Sequence, residues 1–371
     1  MALLAGWDKR IKLDIDYTNK IGASVTWFPV TIFLKDANGD STKVFTEITT
    51  NSRKIAITKA DGTTELKGEI ELWSYDAGTP ANSVAIIHTS ATGWTIDDDM
   101  SVYLYYDNDH AVNDNIGIVP GSSPASDVWD GSFKVVYHLG EDDTGTTIND
   151  STSNDKDAAK DANADPSQDT GKIGKGQHFD IANTEKITIP TLAISGRTEV
   201  TWELWFKSDV ENNTLQQLFV YNNDADNLFL RTDINAGTTN KIILFCYADA
   251  GGGWSDNTTA YTSTGWHHIV GRAKEDDFLD LFVDGVKIGT PVAIGSFIDL
   301  GNQFGDYLGK TRSGDLNYTD GIIDEFRLSL AKRSDAWIKA IYNSGNDSLL
   351  TYGSEEEVGA EVNTTNFFQM F

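Results

Sequence analysis

Apolar and polar positions alternate with period two along most of the chain. In KRIKLDID, Ile11, Leu13 and Ile15 share one face, while Lys12, Asp14 and Asp16 share the other. EVTWELWFK sets Val200, Trp202, Leu204 and Phe206 against Thr201, Glu203, Trp205 and Lys207, and SVYLYYD sets Val102, Leu104 and Tyr106 against Tyr103 and Tyr105. This alternation predicts half-buried strands of antiparallel sheets. Asp61-Gly62 and Asp284-Gly285 each stand between apolar strands and predict type I′ hairpins, whose positive φ angles glycine tolerates.

One segment breaks the pattern. In SDAWIKAIYNSG, Trp337, Ile338, Ile341 and Tyr342 recur at helical spacing. Ser334 is placed to cap this helix, Asp335 suits its positive end, and Gly345 is placed to end it in a left-handed cap. Closely spaced strands with little helix predict an all-β protein of two β-sandwich (jelly-roll) domains in series. The short helix is expected to close the second sandwich. VPGSSPASDVWDG reads as a stiff connector. The predicted organisation is an N-terminal β-sandwich over 1–120, a linker over 121–130, a second domain over 131–350 and an acidic, then aromatic tail over 351–371. The polar stretch NDSTSNDKDAAKDANADPSQDTGK, nearly free of large apolar residues, predicts a long surface loop or one ordered by a metal or a partner.

Composition narrows the function. Among 371 residues, 56 acids outnumber 29 Lys and Arg, for a net charge of −27, which repels phosphate backbones and argues against nucleic acid as a partner. Cys246 is the single cysteine, so no internal disulfide forms, and it reads as a small buried hydrophobe. The start, MALLAGWDK, lacks the basic and apolar regions of a secretory signal, and no apolar run approaches the roughly 20 residues that span a bilayer. The sequence is therefore expected to be complete, not conventionally secreted, and free of membrane.

An ordered series of segments carries a family resemblance. KVVYHLGE, NDSTSNDKDA, GKIGKGQHFDI, EKITIP, EVTWELWFK, TGWHHIVGR, LDLFVDGVKIG and DGIIDEFRLSLAKRSDAWIKAIYNSG follow one another over roughly 130–345. Together they resemble the laminin-G-like, concanavalin A-like lectin/glucanase superfamily, which implies two curved antiparallel sheets. The region 6–117 is similar to an uncharacterised β-domain that often precedes such modules in phage and prokaryotic surface proteins. Many relatives hold a structural calcium. The resemblance therefore suggests Ca²⁺ on Asp150, Asn154 and Asp155 in one loop, with Asp180 and either Asp320 or Asp324.

Catalytic carboxylates are tested by spacing. Glucanase members of the superfamily carry Glu-x-Asp-x-Glu on one strand, which this chain lacks. Retaining hydrolysis needs carboxyl groups about 5–5.5 Å apart. Asp324 and Glu325 are adjacent and, on a regular strand, point to opposite faces. They read as structural, binding a neighbouring loop or pairing with Arg327. His267 and His268 likewise face apart, and read as core-edge histidines beside Trp266. Sugar recognition favours exposed aromatic rings beside polar groups. DAGGGWSDN offers Trp254 at a glycine-rich loop tip with Asp249, Asp256 and Asn257, and Tyr318 and the NNDADN loop are expected on the same rim. Trp205 on the sheet face is a second position. Phe367, Phe368, Met370 and Phe371 end the chain and read as an assembly tail or as a last strand.

The expected function is a non-enzymatic virion surface protein: a capsid decoration, head fibre or tail fibre component. It would assemble in a host cytoplasm with other virion proteins or with itself and turn a lectin-like domain toward host glycans. The alternatives are a carbohydrate-binding module of a prokaryotic cell-surface protein, a purely architectural part, and a glycoside hydrolase with a non-standard site.

Overall fold

The computed structural model describes residues 3–161, 165–192, 197–209, 215–223, 228–236, 240–247, 253–256, 264–294, 306–310 and 317–358. The fold is all-β, with two sandwiches and three α-helices among these residues. No helix among them is long and apolar enough to cross a membrane.

In the N-terminal sandwich, one sheet runs in the order Leu350–Glu357, Lys9–Ile15, Met100–Tyr106, Ile55–Thr58. The other runs Val30–Leu34, Val84–Ser90, Lys67–Ser74, Ile116–Gly117. Ile11, Leu13 and Ile15 are buried between them, as the alternation requires. The C-terminal sandwich has two eight-stranded sheets. Its core takes Val200, Trp202, Leu204 and Phe206 from one sheet, packed against Leu218, Phe219 and Leu244 of the other.

Two boundaries differ from the expectation. The chain returns to its first sandwich, because Leu350–Glu357 pairs antiparallel with Lys9–Ile15 as an edge strand. The first part of the expected tail is therefore sheet, and the remainder, with Phe367, Phe368, Met370 and Phe371, lies outside the described residues. The expected linker is also structural. Val128 and Trp129 are buried in the N-terminal core, and Asp130 binds Arg333 through both oxygens at 2.5 and 3.0 Å.

The helix Asp335–Gly345 is capped by Ser334 as predicted, with its Oγ accepting from Trp337 N at 3.1 Å. It is a wedge and does not close the second sandwich alone. Trp337, Ala340 and Ile341 enter the N-terminal core, while Ile338 packs on Val270 and Phe282 of the second domain. Gly345 does not adopt the left-handed conformation; Asp347, at φ 52°, does. The glycine is needed for space, since a Cβ there would sit 2.9 Å from Ile173 Cδ1. Asp284 and Gly285 both have positive φ, as a type I′ hairpin demands, whereas at the other turn Gly62 alone does.

Candidate functional site

The outer face of the C-terminal sheet lies under the N-terminal sandwich. Trp205, expected to be open to a glycan, is 3% exposed and clusters with Phe33 and Ile86 of the first domain and Ile173 of the second. Tyr342 of the wedge helix stacks on it at 5.6 Å.

The same face holds the acidic neighbours of strand Gly321–Ser329. Here the regular-strand expectation fails. Ile323, Phe326 and Leu328 all point into the C-terminal core, so the alternation slips by one residue between 323 and 326. The slip is a β-bulge: Glu203 stands opposite Arg327 and Trp205 opposite Asp324, with Glu325 at φ 54°. Asp324 and Glu325 therefore both turn toward the N-terminal domain. They are 0% and 1% exposed. Their predicted roles hold. Asp324 Oδ2 accepts from Ile173 N of a neighbouring loop at 2.8 Å, and Glu325 pairs with Arg327. His268 is buried against Trp205 and near Glu203, and His267 binds Asp284 at 2.8 Å.

Across the boundary, strand Lys67–Ser74 presents Glu69 and Glu71, and strand Val84–Ser90 presents His88. His138 follows strand Phe133–Tyr137. His88 Nε2 lies 2.8 Å from Glu71 Oε2, and His138 Nδ1 lies 2.6 Å from Glu325 Oε1 and 3.6 Å from Glu71 Oε2. One ligand atom from each of these four residues falls within 4.8 Å of every other. Burial opposes a charge on His138, but Glu325, Glu71 and Glu69 outweigh it and hold the imidazole well above the ordinary histidine range. Burial and the charge of His138 push His88 well below that range. Burial and the charge of Glu325 hold Glu71 and Asp324 well above the usual carboxylate range. Burial works the same way on Glu325, but His138 and Arg327 overcome it and draw the group far down.

Beside this layer, a cleft of about 430 Å³ opens between the sandwiches. Phe33, Leu72 and Ile86 line one side, and Lys172, Lys175 and Asn346 the other. Lys172 Nζ lies 5.1 Å from the Trp205 ring centroid and donates to Asn346 at 2.6 Å.

The sequence-predicted residues are scattered. Trp254 and Asp256 belong to strand Gly253–Asp256, paired with Asn240–Tyr247, rather than to a loop tip. Their side chains, together with Asp249, Asn257 and most of the NNDADN loop, lie outside the described residues. Tyr318 is 4% exposed, with Lys310 over its ring, and so does not line an open rim.

The side chains of the expected calcium loop bind within the protein. Asp150 Oδ1 accepts from Val136 N and Thr152 N, and Oδ2 accepts from Thr152 Oγ1 and Lys156 N. Those four bonds fill its lone-pair positions. Asn154 turns its amide NH₂ to the carbonyls of Phe133 and Lys134, and Asp155 has a left-handed backbone at φ 54°. Asp180 caps a short 3₁₀ turn. Asp320 is raised by burial and by the nearby charges of Asp209 and Asp180.

Sequence reasoning missed the four-residue cluster. Its signal was present as a histidine interrupting the apolar run VAIIHTS and another directly after the apolar run VVY in VVYHLGE. Which strands face each other across the domain boundary was not readable.

Residues 182–339 match the model of the family described as the concanavalin A-like lectin/glucanases superfamily. The C-terminal sandwich is accordingly a concanavalin A-like, lectin-like domain. Similar solved structures include domain 4 of AbnA, a GH43 extracellular arabinanase from Geobacillus stearothermophilus, in complex with arabinotriose. It is 16% identical, with a TM-score of 0.45, over 57% of this chain and 98% of that one. The binding domain of Paraclostridial Mosquitocidal Protein 1 is 14% identical, with a TM-score of 0.45, over 57% of this chain and about half, 52%, of that one. The CBM40 of the Ruminococcus gnavus IT-sialidase, bound to α2,3 sialyllactose, is 16% identical, with a TM-score of 0.33, over 39% of this chain and 83% of that one. No curated protein matches the sequence.

Proposed function

We propose that the chain is a non-enzymatic binding protein, in which a lectin-like sandwich directed at glycans is held rigidly on a second sandwich. The observation that carries this reading is the burial of the sheet-face carboxylates. Glu203, Asp324 and Glu325 are 5%, 0% and 1% exposed beneath the N-terminal domain, so a glycosidic bond has no approach to them. Hydrolysis needs two such groups flanking the bond. With the sheet face covered, we assign glycan contact to Gly253–Asp256, the last strand of its sheet among the described residues, where Trp254 supplies the aromatic residue. The particular role we assign is a virion surface component, a capsid decoration or a fibre part, built from two sandwiches that bury charge against one another.

A glycan array tests the binding reading. Wild-type chain is expected to retain a set of glycans, Trp254→Ala to lose them, and Lys172→Ala to keep them. Loss with Lys172→Ala alone would move the site into the cleft, and no retention by wild type would leave an architectural role. Release of reducing sugar from β-glucans would overturn the non-enzymatic reading. Mass spectrometry of purified particles tests the virion role, which fails if the chain is missing from them; a cell-surface fraction containing it would favour a prokaryotic carbohydrate-binding module instead.

A further inference from the structure

Glu71 and His88 come from the N-terminal sandwich, and His138 and Glu325 from the C-terminal one; all four point at one spot between the domains. Their side chains are 5%, 0%, 9% and 1% exposed. We propose that this spot is a binding site for a divalent transition metal of the zinc class, held by two imidazole nitrogens and two carboxylate oxygens and stapling the sandwiches together.

Three independent features point to a cation. The first is the donor set. Two histidines and two carboxylates suit zinc and its neighbours, whereas calcium takes oxygens. Bonds of about 2.0–2.2 Å in a tetrahedron set ligand atoms roughly 3.3 Å apart. Separations of 2.6, 2.8 and 3.6 Å, with all pairs within 4.8 Å, straddle that value, so shifts of well under a side-chain rotamer would complete it.

The second is the shell behind the ligands. Metal-bound histidines orient their other ring nitrogen against an oxygen. His88 turns Nδ1 to Thr31 Oγ1 at 3.1 Å. His138 turns Nε2 toward Glu69 Oε2 at 3.5 Å, and that carboxylate is itself fixed by Trp129 Nε1 at 2.6 Å. Glu325 gives its second oxygen to Arg327. The far ends of His88 and Glu325 are thus already held by hydrogen bonds, and Glu69 stands beside the unbonded Nε2 of His138.

The third is charge and satisfaction. Among the described residues, the five carboxylates Glu69, Glu71, Glu203, Asp324 and Glu325 share two cationic groups, Arg327, which pairs with Glu203 and Glu325, and the imidazole of His138, and the side-chain atoms His138 Nε2, Glu69 Oε1 and Asp324 Oδ1 are buried without a hydrogen-bond partner. Buried carboxylates in excess of their cations are costly, and a divalent ion supplies the missing charge at one point. Because two ligands come from each domain, the ion is captured as the sandwiches dock, and it exchanges slowly afterwards.

The test uses the full chain, stripped of metal by unfolding in chelator, refolded and dialysed against Zn²⁺ or Co²⁺. Elemental analysis is expected to find about one ion per chain, and Co²⁺ to give the intense visible bands of a low-coordinate site. Zinc should raise the melting temperature. Thr31→Val keeps the shape of the residue behind His88 and should weaken affinity about 10–100-fold. His88→Gln should abolish stoichiometric binding, while His267→Gln, outside the cluster, should leave it intact. Metal well below one equivalent in refolded wild type, or equal retention in Thr31→Val and His88→Gln, would show a proton-sharing network without a metal and overturn the proposal.

Discussion

The rings of His88 and His138 stack across the boundary between the two sandwiches, with centroids 4.7 Å apart and planes at 12°. One ring belongs to each domain, and carboxylates surround the pair. The interface is therefore a polar layer laid between two apolar cores, and its members depend on one another.

Removing one member should expose that dependence. In metal-free protein, His138→Ala leaves Glu71 and Glu325 facing each other with less positive charge between them. Breaking a buried pair from one side costs about 3–5 kcal/mol. Urea unfolding of the variant should show a loss of that order, and a loss within error of zero would contradict the layer's role.

Trp337 joins the domains by packing. It lies on the wedge helix, is 5% exposed, and meets Phe28 edge-on at 5.1 Å in the N-terminal core. Trp337→Ala is expected to cost about 3–5 kcal/mol, as core truncations of this size do. Hydrogen exchange should quicken in Val30–Leu34, far from the mutation in sequence. Faster exchange confined to the C-terminal sandwich would mean that the helix serves that domain alone.

The returning strand supplies a third expectation. Leu350–Glu357 covers the edge of Lys9–Ile15, and Tyr352 Oη accepts from Phe33 N at 2.8 Å. A chain ending at Leu349 leaves that edge unpaired, which favours self-association. It should melt lower and show oligomers in sedimentation. A monodisperse monomer with the full-length melting temperature would contradict the assignment.

Asp61 carries the clearest pH signature. Its carboxylate accepts from the side chain and backbone of Thr64 and from Thr63 N, which lower its pKa from 3.8 to about 2. The folded pKa lies below the unfolded one, so the contribution is present above pH 3.8 and fades as pH falls toward about 2. Carbon NMR should place the titration midpoint near 2, and Thr64→Ala should raise it. A wild-type midpoint near 3.8 would refute the turn geometry.

Much of this architecture was legible in the residues, because period-two alternation, the Asp284-Gly285 turn and the Ser334 cap are local. Long-range pairing was not. Nothing local in LTYGSEEE says that it pairs with KRIKLDI, more than 300 residues away. The opposite-face expectation for Asp324 and Glu325 failed for a related reason. Alternation assumes a regular strand, and the bulge that turns both carboxylates to one face appears when the strand is set against its neighbours. The two side chains are buried by a second domain, each with a partner inside the protein, rather than separated by facing apart. The glycan residues at the Trp254 edge keep their place as a proposal resting on residue type and strand position.

Carboxyl footprinting of the intact chain tests the central claim, that the N-terminal sandwich seals the outer face of the lectin-like sheet. Carbodiimide coupling to an amine, read by peptide mass spectrometry, should label exposed acids such as Asp114 and leave Glu203, Asp324 and Glu325 unmodified until the protein is unfolded. Labelling of those three in the native chain at the rate of Asp114 would show the face to be open, and would return the carboxylates to consideration as reactive groups.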